Sequence, residues 1–117
     1  MNIGIDIVKT ERMNFFLEKA DRMSKVFTES EIAYVQKFKD KALEHMAGHF
    51  AVKEAVVKAL KTGFSGICPL DIELGHLGNG SPIVVGSDKL NELLDGRHID
   101  VSIAHDGDVA TAICIIN

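Results

Sequence analysis

A carboxylate and an amine lie one helical turn apart in a segment that is otherwise almost entirely apolar. Residues 49–60 read HFAVKEAVVKAL, in which Glu54 and Lys58 interrupt a run of side chains that favour burial. On an exposed helix such an i, i+4 pair contributes about 0.2–0.5 kcal/mol, and most such pairs are surface features. The pair is therefore either part of a solvated face or a functional carboxylate and cation at the edge of the core.

Asp6 is a second carboxylate in an unusual setting. It lies within the strand-like segment NIGIDIV, residues 2–8, although aspartate is disfavoured in strands. The face shared by Gly4, Asp6 and Val8 could open to water, which would explain the residue without a function. Together with Glu54, however, Asp6 could bind a hard cation, since Mg²⁺ prefers one or two carboxylates with substrate phosphates and water.

His105 is the third candidate. It ends an apolar segment immediately before the turn at Asp106-Gly107, where a lone histidine is more often structural than functional. His45 and His49 are four residues apart, but HMAGH lacks the glutamate of the HExxH zinc motif. The chain has no P-loop, GxGxxG or GxSxG segment, so the familiar nucleotide-binding and nucleophile motifs do not apply.

Hydrophobic periodicity predicts the elements that must position these residues. We predict strands over 2–8, 71–75, 82–85, 99–105 and 109–116, and helices over 11–25, 28–38, 41–62 and 87–95. Thr28 with Glu31 forms a capping-box pattern for the second helix, and Gly63 marks the end of the third. The order β-ααα-ββ-α-ββ predicts an α+β domain, with one long helix packed on a mostly antiparallel sheet.

Composition limits the classes of function. With 117 residues, 46% of them hydrophobic and 26% charged, the chain is typical of one soluble globular domain. Its net charge of −4 makes a nucleic-acid partner a poor fit, and no apolar run approaches a membrane span. Two cysteines without a CxxC pattern and the lack of a signal peptide lead us to expect a cytoplasmic protein.

The two halves of the chain differ in charge. Residues 1–62 carry eleven basic and nine acidic side chains, whereas residues 63–117 carry two basic and eight acidic ones. The first predicted helix places four residues on one face: Arg12, Phe15, Lys19 and Arg22. Its opposite face would anchor the helix to the core through Met13, Phe16, Leu17 and Ala20. The first face is either a docking surface for an acidic partner or an ordinary solvated surface, since acidic residues are interspersed.

Five segments occur in a fixed order: GIDIV near the start, FTESEIAY at 27–34, AGHFAVKEAVVKAL at 47–60, the LGNGSPIVV hairpin and VSIAH at 101–105. Together they resemble the holo-[acyl-carrier-protein] synthase family of small bacterial 4′-phosphopantetheinyl transferases. No single segment decides the matter, but the ordered set is highly specific. The resemblance covers essentially the whole chain.

The resemblance implies a reaction and roles for the candidate residues. Members of this family move the phosphopantetheine arm of coenzyme A onto a serine of apo-acyl carrier protein and release adenosine 3′,5′-bisphosphate. By resemblance, Asp6 and Glu54 would bind Mg²⁺. Lys58 would lie beside the pyrophosphate, and His105 would lie near the nucleotide end of coenzyme A. The general base would be a carboxylate or a metal-held water.

The resemblance also implies an assembly and a partner surface. The family is typically a homotrimer with coenzyme A bound between protomers. It meets its acidic carrier protein through basic residues of the first helix, which assigns docking to four residues: Arg12, Phe15, Lys19 and Arg22.

Two residues depart from the family pattern. His49 stands where arginine is common, and a histidine there would make a weaker phosphate contact with coenzyme A. Ala104 replaces the second serine of an SxSH segment. Two other functions stay open: a non-catalytic module that binds a carrier protein or nucleotide, and a Mg²⁺-dependent hydrolase of coenzyme A or a nucleotide.

Overall fold

One long helix packs against a three-stranded antiparallel sheet, and a two-stranded hairpin lies beside this unit. The computed structural model describes residues 1–117. The strands are β1 (Asn2–Lys9), β2 (Ile72–His76), β3 (Pro82–Gly86), β4 (Ile99–Asp106) and β5 (Val109–Ile116). The helices are α1 (Asn14–Leu17), α2 (Ala20–Ser24), α3 (Glu29–Gln36), α4 (Ala42–Leu60) and α5 (Asp88–Leu94). Short 3₁₀ turns occupy Thr10–Met13, Lys39–Lys41 and Pro69–Asp71.

The topology confirms the predicted α+β class. The larger sheet has the order β1-β5-β4, and β2 pairs with β3 in the second sheet, with every pair antiparallel. The predicted hairpin turn at Asp106-Gly107 joins β4 to β5. In this register Asp6 lies opposite Ala112, and Ala112 lies opposite Ile103. The core therefore forms between α4 and the sheet face that carries the even-numbered residues of β5.

A glycine in β1 permits close packing between the strand and α4. A Cβ at Gly4 would overlap the carbonyl oxygen of Ala55 and lie 2.7 Å from the main-chain nitrogen of Ala59. Small residues at both helix positions complete the contact, and both are fully buried. Any side chain at residue 4 would push the strand away from the helix, and with it the neighbouring carboxylate Asp6.

The burial of β1 contradicts the idea that the Asp6 face opens to water. Val8 and Gly4, which share that face, are buried against α4. The opposite face of the strand is the exposed one: Ile3, Ile5 and Ile7 are 59%, 63% and 67% exposed. Asp6 is therefore placed on the inner face of the sheet, at its free edge, because β1 pairs only with β5.

The first predicted helix is wrong as a single element. Residues 10–24 form a 3₁₀ turn followed by α1 and α2, and the chain is extended at Lys19, with φ −143° and ψ 128°. Met13 and Phe16 pack into the core as expected, but Leu17 and Ala20 are exposed. The pattern failed because the extended backbone at Lys19 changes the register, so that Met23 of α2 packs on the core while Leu17 and Ala20 do not.

The remaining predicted helices and strands are all present, with bounds that differ from the predicted ones by a few residues at most. Thr28 caps α3, and its hydroxyl accepts the main-chain N–H of Glu31 while the Glu31 carboxylate accepts the N–H of Thr28. Helix α4 ends at Leu60, and its C-cap Lys61 takes a left-handed conformation with φ 63°, two residues before the predicted glycine. No helix in the chain is long and apolar enough to cross a membrane.

Candidate active site

Lys58 reaches from α4 to the free edge of β1 and holds Asp6. Its Nζ lies 3.0 Å from Oδ1 of Asp6 and 3.0 Å from the carbonyl oxygen of Ile5. The Asp6 side chain is 15% exposed and the Lys58 side chain 53% exposed, so the pair lies at the surface. On the β5 side, the Thr111 hydroxyl donates a 2.8 Å hydrogen bond to the main-chain oxygen of Asp6. The strand is thus fixed at the residue that carries the carboxylate.

Glu54 lies one turn before Lys58 on α4 and is half-buried. Burial and then the negative charge of Asp6 raise the pKa of Glu54, against the opposing charges of Lys58 and Arg12. The structure therefore brings the two predicted carboxylates close enough to repel one another. The i, i+4 ion pair suggested by the sequence does not form, because Lys58 bonds to Asp6 instead.

The two carboxylates fit a hard cation that shares its ligands with a substrate. They are oxygen donors on facing elements, and a cation between them would relieve the repulsion that raises the pKa of Glu54. No group of three or more histidine, cysteine or acidic side chains is placed to hold a metal. The protein therefore offers two carboxylates at most at this point, the number that Mg²⁺ uses when phosphates and waters complete its shell.

Arg12 is the second cation at this site. Its guanidinium lies over the ring of Phe50, 5.6 Å from the centroid, and its charge lowers the pKa of Glu54. The sequence assigned Arg12 only to a docking face. In the structure it lines a depression with Phe15, and its charge also acts on Glu54.

A shallow groove on the sheet joins the Asp6 site to His105. One depression is lined by Ile5, Asp6, Ile7, Lys58 and Thr111. The next shares Ile7 and Thr111 and extends to His105 and Asp106. The two predicted site residues are therefore at opposite ends of one continuous surface.

His105 is held against α4 by a main-chain contact. Its Nε2 donates to the carbonyl oxygen of Glu44 at 3.1 Å. The ring passes over Gly48, where a Cβ would lie 3.2 Å from Nε2. The ring is therefore oriented by the helix while the residue stays exposed at the end of the groove.

His49 does not reach the groove. It is 1% exposed, its Nδ1 donates to Glu31 Oε2 at 3.0 Å, and its Nε2 lies 3.1 Å from Nε2 of His76. Both ring nitrogens are occupied inside the protein. The prediction that His49 contacts coenzyme A is therefore wrong for this arrangement, because the residue has no free polar atom to offer a phosphate.

Sequence reasoning missed a buried ionic cluster behind the site. Lys53, next to Glu54, is 1% exposed, and its Nζ donates to Glu31 Oε1 at 2.8 Å, Pro69 O at 3.0 Å and Ile72 O at 2.6 Å. Burial lowers the pKa of Lys53, and the Glu31 charge opposes that change. The available signal was the i, i+4 spacing of His49 and Lys53, which both bond to the capping-box glutamate.

The predicted docking residues are only partly assembled. Arg22 stacks on Phe15 at 4.1 Å from the ring centroid, pairs with Glu18 at 2.9 Å and donates to Phe15 O at 3.2 Å. Lys19 is exposed at the break between α1 and α2. Phe15 is exposed, so an apolar surface with flanking cations exists. Arg12 lies over the ring of Phe50 and lines one depression together with Phe15.

The fold is that of a known class of protein. A model of the 4′-phosphopantetheinyl transferase superfamily matches residues 2–114. The chain belongs to that superfamily.

Within the class, several relatives are holo-[acyl-carrier-protein] synthases. Holo-[acyl-carrier-protein] synthase of Finegoldia magna is 40% identical over 97% of this chain and 92% of that protein. The synthase of Clostridium botulinum is 43% identical over 97% and 94%. The Bacillus anthracis synthase, solved in complex with CoA (3′,5′-ADP), has a TM-score of 0.83 at 32% identity and covers 98% of this chain and 94% of its own. The Helicobacter pylori synthase, solved with coenzyme A, has a TM-score of 0.80 at 30% identity, covering 98% and 99%.

Proposed function

We propose that the protein transfers the 4′-phosphopantetheine moiety of coenzyme A to a serine of apo-acyl carrier protein. The observation that carries this proposal is the meeting of Asp6, Glu54 and Lys58 at the edge of the sheet, in a chain of this superfamily. Relatives solved with coenzyme A support the identity of the donor. Relatives named for the carrier protein support the acceptor.

The reaction exchanges one phosphorus–oxygen bond for another. The serine oxygen bonds to the β-phosphorus, and the bond from that phosphorus to the bridging oxygen breaks. Adenosine 3′,5′-bisphosphate leaves with the electron pair, and the serine proton passes to a base in the site. A Mg²⁺ ion held by Asp6 and Glu54 would neutralise phosphate charge and align the groups.

The chain's own cations act where negative charge grows. Lys58 carries an ammonium on a flexible, half-exposed side chain at the carboxylate pair, within reach of a pyrophosphate bound in the groove. Its charge would stabilise the leaving oxygen as the bond breaks. We assign His105, at the far end of the groove, to the nucleotide end of coenzyme A.

We also propose that the protein works as a cytoplasmic homotrimer. Three exposed isoleucines on the outer face of β1 form an apolar strip that an isolated protomer leaves in water. Ile5 and Ile7 of this strip also line the groove, so a neighbouring protomer on this face would complete the coenzyme A site. Both cysteines are free thiols, which supports a reducing compartment.

Mass spectrometry of apo-acyl carrier protein distinguishes the candidate functions. The carrier is incubated with the protein, coenzyme A and Mg²⁺, and a matched sample contains a chelator. We expect the carrier to gain the phosphopantetheine mass only when Mg²⁺ is present. Nucleotide product without a mass gain would indicate a hydrolase. Binding without either product would indicate a non-catalytic module.

A further inference from the structure

The bond between Lys58 and Asp6 occupies an atom that the proposed metal site requires. Asp6 Oδ1 accepts the Lys58 ammonium at 3.0 Å. The same carboxylate is one of only two that the protein offers to a cation here. An ammonium and a divalent cation on one carboxylate repel each other, because water screens like charges only partly at such short range near a protein surface.

Glu54, the other possible partner of Lys58, forms no ion pair with it. Glu54 lies one turn earlier on the same helix, at the spacing and in the orientation that favour a Glu–Lys pair, yet the ammonium reaches across to β1. A second acceptor, the carbonyl oxygen of Ile5 on the free strand edge, holds it there at 3.0 Å. The acceptors on β1 therefore set the position of the Lys58 amine, which helical spacing alone would not predict.

The side chain can move without disturbing the core. Lys58 is exposed and packs into no buried cluster, unlike Lys53 one turn earlier, whose three acceptors lock it in place. Leaving Asp6 and Ile5 costs two surface hydrogen bonds, which solvent can replace. Helix α4 thus carries one fixed lysine, Lys53, and one that is free to change partners, Lys58.

We propose that Lys58 is an internal counter-ion of the metal site, which holds Asp6 in the metal-free protein and is released from it when a divalent cation binds. This inference rests on the proposed function, because it assigns the cation to Asp6 and Glu54. It adds an order of events: the cation takes the carboxylate, and the displaced amine becomes available to the phosphates. The amine that assists transfer is thereby withheld until the cation is bound.

The first test is Mn²⁺ binding to the metal-free protein, followed by electron paramagnetic resonance, with Mg²⁺ as a competitor. Lys58→Met removes the competing ammonium from an exposed position and leaves both carboxylates. We expect about tenfold tighter Mn²⁺ binding than in the wild type, because a nearby positive charge is lost. Lys61→Met is the matched control, since it removes a cation from the end of the same helix with no side-chain bond to β1. It should change Mn²⁺ affinity by less than about twofold.

The second test follows the amine itself in the wild-type protein. Limiting acetylation with mass spectrometric detection reports how freely each lysine reacts. Mn²⁺ should increase the reactivity of Lys58 and leave those of Lys61 and buried Lys53 unchanged. In an Asp6→Asn background, the Lys58→Met change should no longer tighten Mn²⁺ binding, because the carboxylate under competition is absent.

These two tests decide the counter-ion role of Lys58 independently of whether the protein transfers phosphopantetheine. Unchanged or weaker Mn²⁺ binding by Lys58→Met, or no detectable binding by the wild type, overturns it even if the carrier is modified. Tighter binding with metal-dependent Lys58 reactivity supports it even if no carrier is modified. In that case the proposed function is wrong, and the counter-ion role stands.

Discussion

At the scale of single residues, Asp6 and Glu54 are alike in type but different in surroundings. Asp6 is held by an ammonium and by a fixed strand, whereas Glu54 is half-buried and has its pKa raised by burial and by Asp6. Asp6→Asn and Glu54→Gln are nearly isosteric and remove one charge each. Both variants should lose at least about a hundredfold in transfer rate, because a hard cation needs anionic oxygen.

The measurement for these two variants is the transfer rate at limiting Mg²⁺, with circular dichroism and thermal unfolding to confirm the fold. Glu29→Gln is a useful control, since it removes an exposed carboxylate far from the groove. Wild-type activity in either site variant would show that the metal assignment is wrong.

Lys58→Met tests the role of the amine in catalysis. Since the ammonium acts on charge that grows in the transition state, kcat should fall more than the KM for coenzyme A rises, by roughly tenfold to a hundredfold. Steady-state kinetics at saturating Mg²⁺ separate the two parameters. A change in KM alone would assign Lys58 to ground-state phosphate binding, and unchanged kinetics would remove it from the site.

Glu31 carries the acid sensitivity of the fold. Burial alone would raise the pKa of Glu31, but hydrogen bonds from His49 and Lys53 and the Lys53 charge outweigh it, so the pKa is lowered. A lowered pKa means that the folded state favours the carboxylate. Its stabilising contribution is present above the ordinary glutamate pKa of about 4.3, and it is lost as the pH falls through the folded-state value.

Glu31→Gln should therefore lower the free energy of unfolding by about 3–5 kcal/mol at neutral pH, because Lys53 is left buried without its counter-charge. It should also flatten the decline of stability below about pH 4.5. Urea unfolding between pH 3 and 7 checks both effects. Combining it with Lys53→Met should restore part of the loss, and a double variant as unstable as the single one would contradict the ion-pair account.

At the scale of elements, the sequence predicted regular segments well and buried polar contacts poorly. Helix α3 carried its own capping box, and the hairpin between β4 and β5 carried an Asp-Gly turn, so local signals were sufficient. Asp6 and Glu54 were found because charged residues in apolar runs are conspicuous. Lys53 and Glu31 lie 22 positions apart, and no local pattern predicts a pair of that separation.

The segment after β1 shows the opposite error. Its apolar spacing suits one helix, but the chain bends at Lys19 and exposes Leu17. Helix periodicity describes which residues could share a face, while the available core decides how many of them are buried. The docking face predicted on that helix stays a prediction: Arg22 stacks on Phe15 and Arg12 lines a depression with Phe15, while the Arg12 charge also acts on Glu54.

Because their surroundings differ, charge reversals at Arg12 and Arg22 should have different effects on the kinetics. Arg22→Glu should raise the KM for the carrier by about fivefold at low salt and flatten its salt dependence, with coenzyme A kinetics unchanged. Arg12→Glu should raise the KM for the carrier in the same way. It should also lower kcat, because the Arg12 charge acts on Glu54. Carrier kinetics across a salt series check both. Lys89→Glu, an exposed charge reversal on α5, is the control, and wild-type behaviour of both arginine variants would place the docking surface elsewhere.

At the scale of the whole molecule, the sheet has one face covered by α4 and one face bare. The bare face carries the exposed isoleucines of β1 and half-exposed residues of β5. Ile5, Ile7 and Thr111 on this face form one wall of the groove. A protomer that buried this face against a neighbour would gain hydrophobic stabilisation. It would also enclose the groove, so assembly and a complete binding site would depend on the same surface.

Ile3→Asp tests this dependence at a residue away from the catalytic groups. Ile3 is 59% exposed and does not line the groove, so the protomer should still fold. Sedimentation should show the wild type at three times the chain mass of 12.8 kDa. The variant should sediment as a monomer, because a charge at an apolar interface costs several kcal/mol. Its transfer rate should fall at least about tenfold. Val85→Asp places the same charge on an exposed β-branched residue of the hairpin and should leave both assembly and transfer intact. A monomeric wild type would show that the homotrimer proposal is wrong, and a fully active monomeric variant would show that each groove is complete within its own chain.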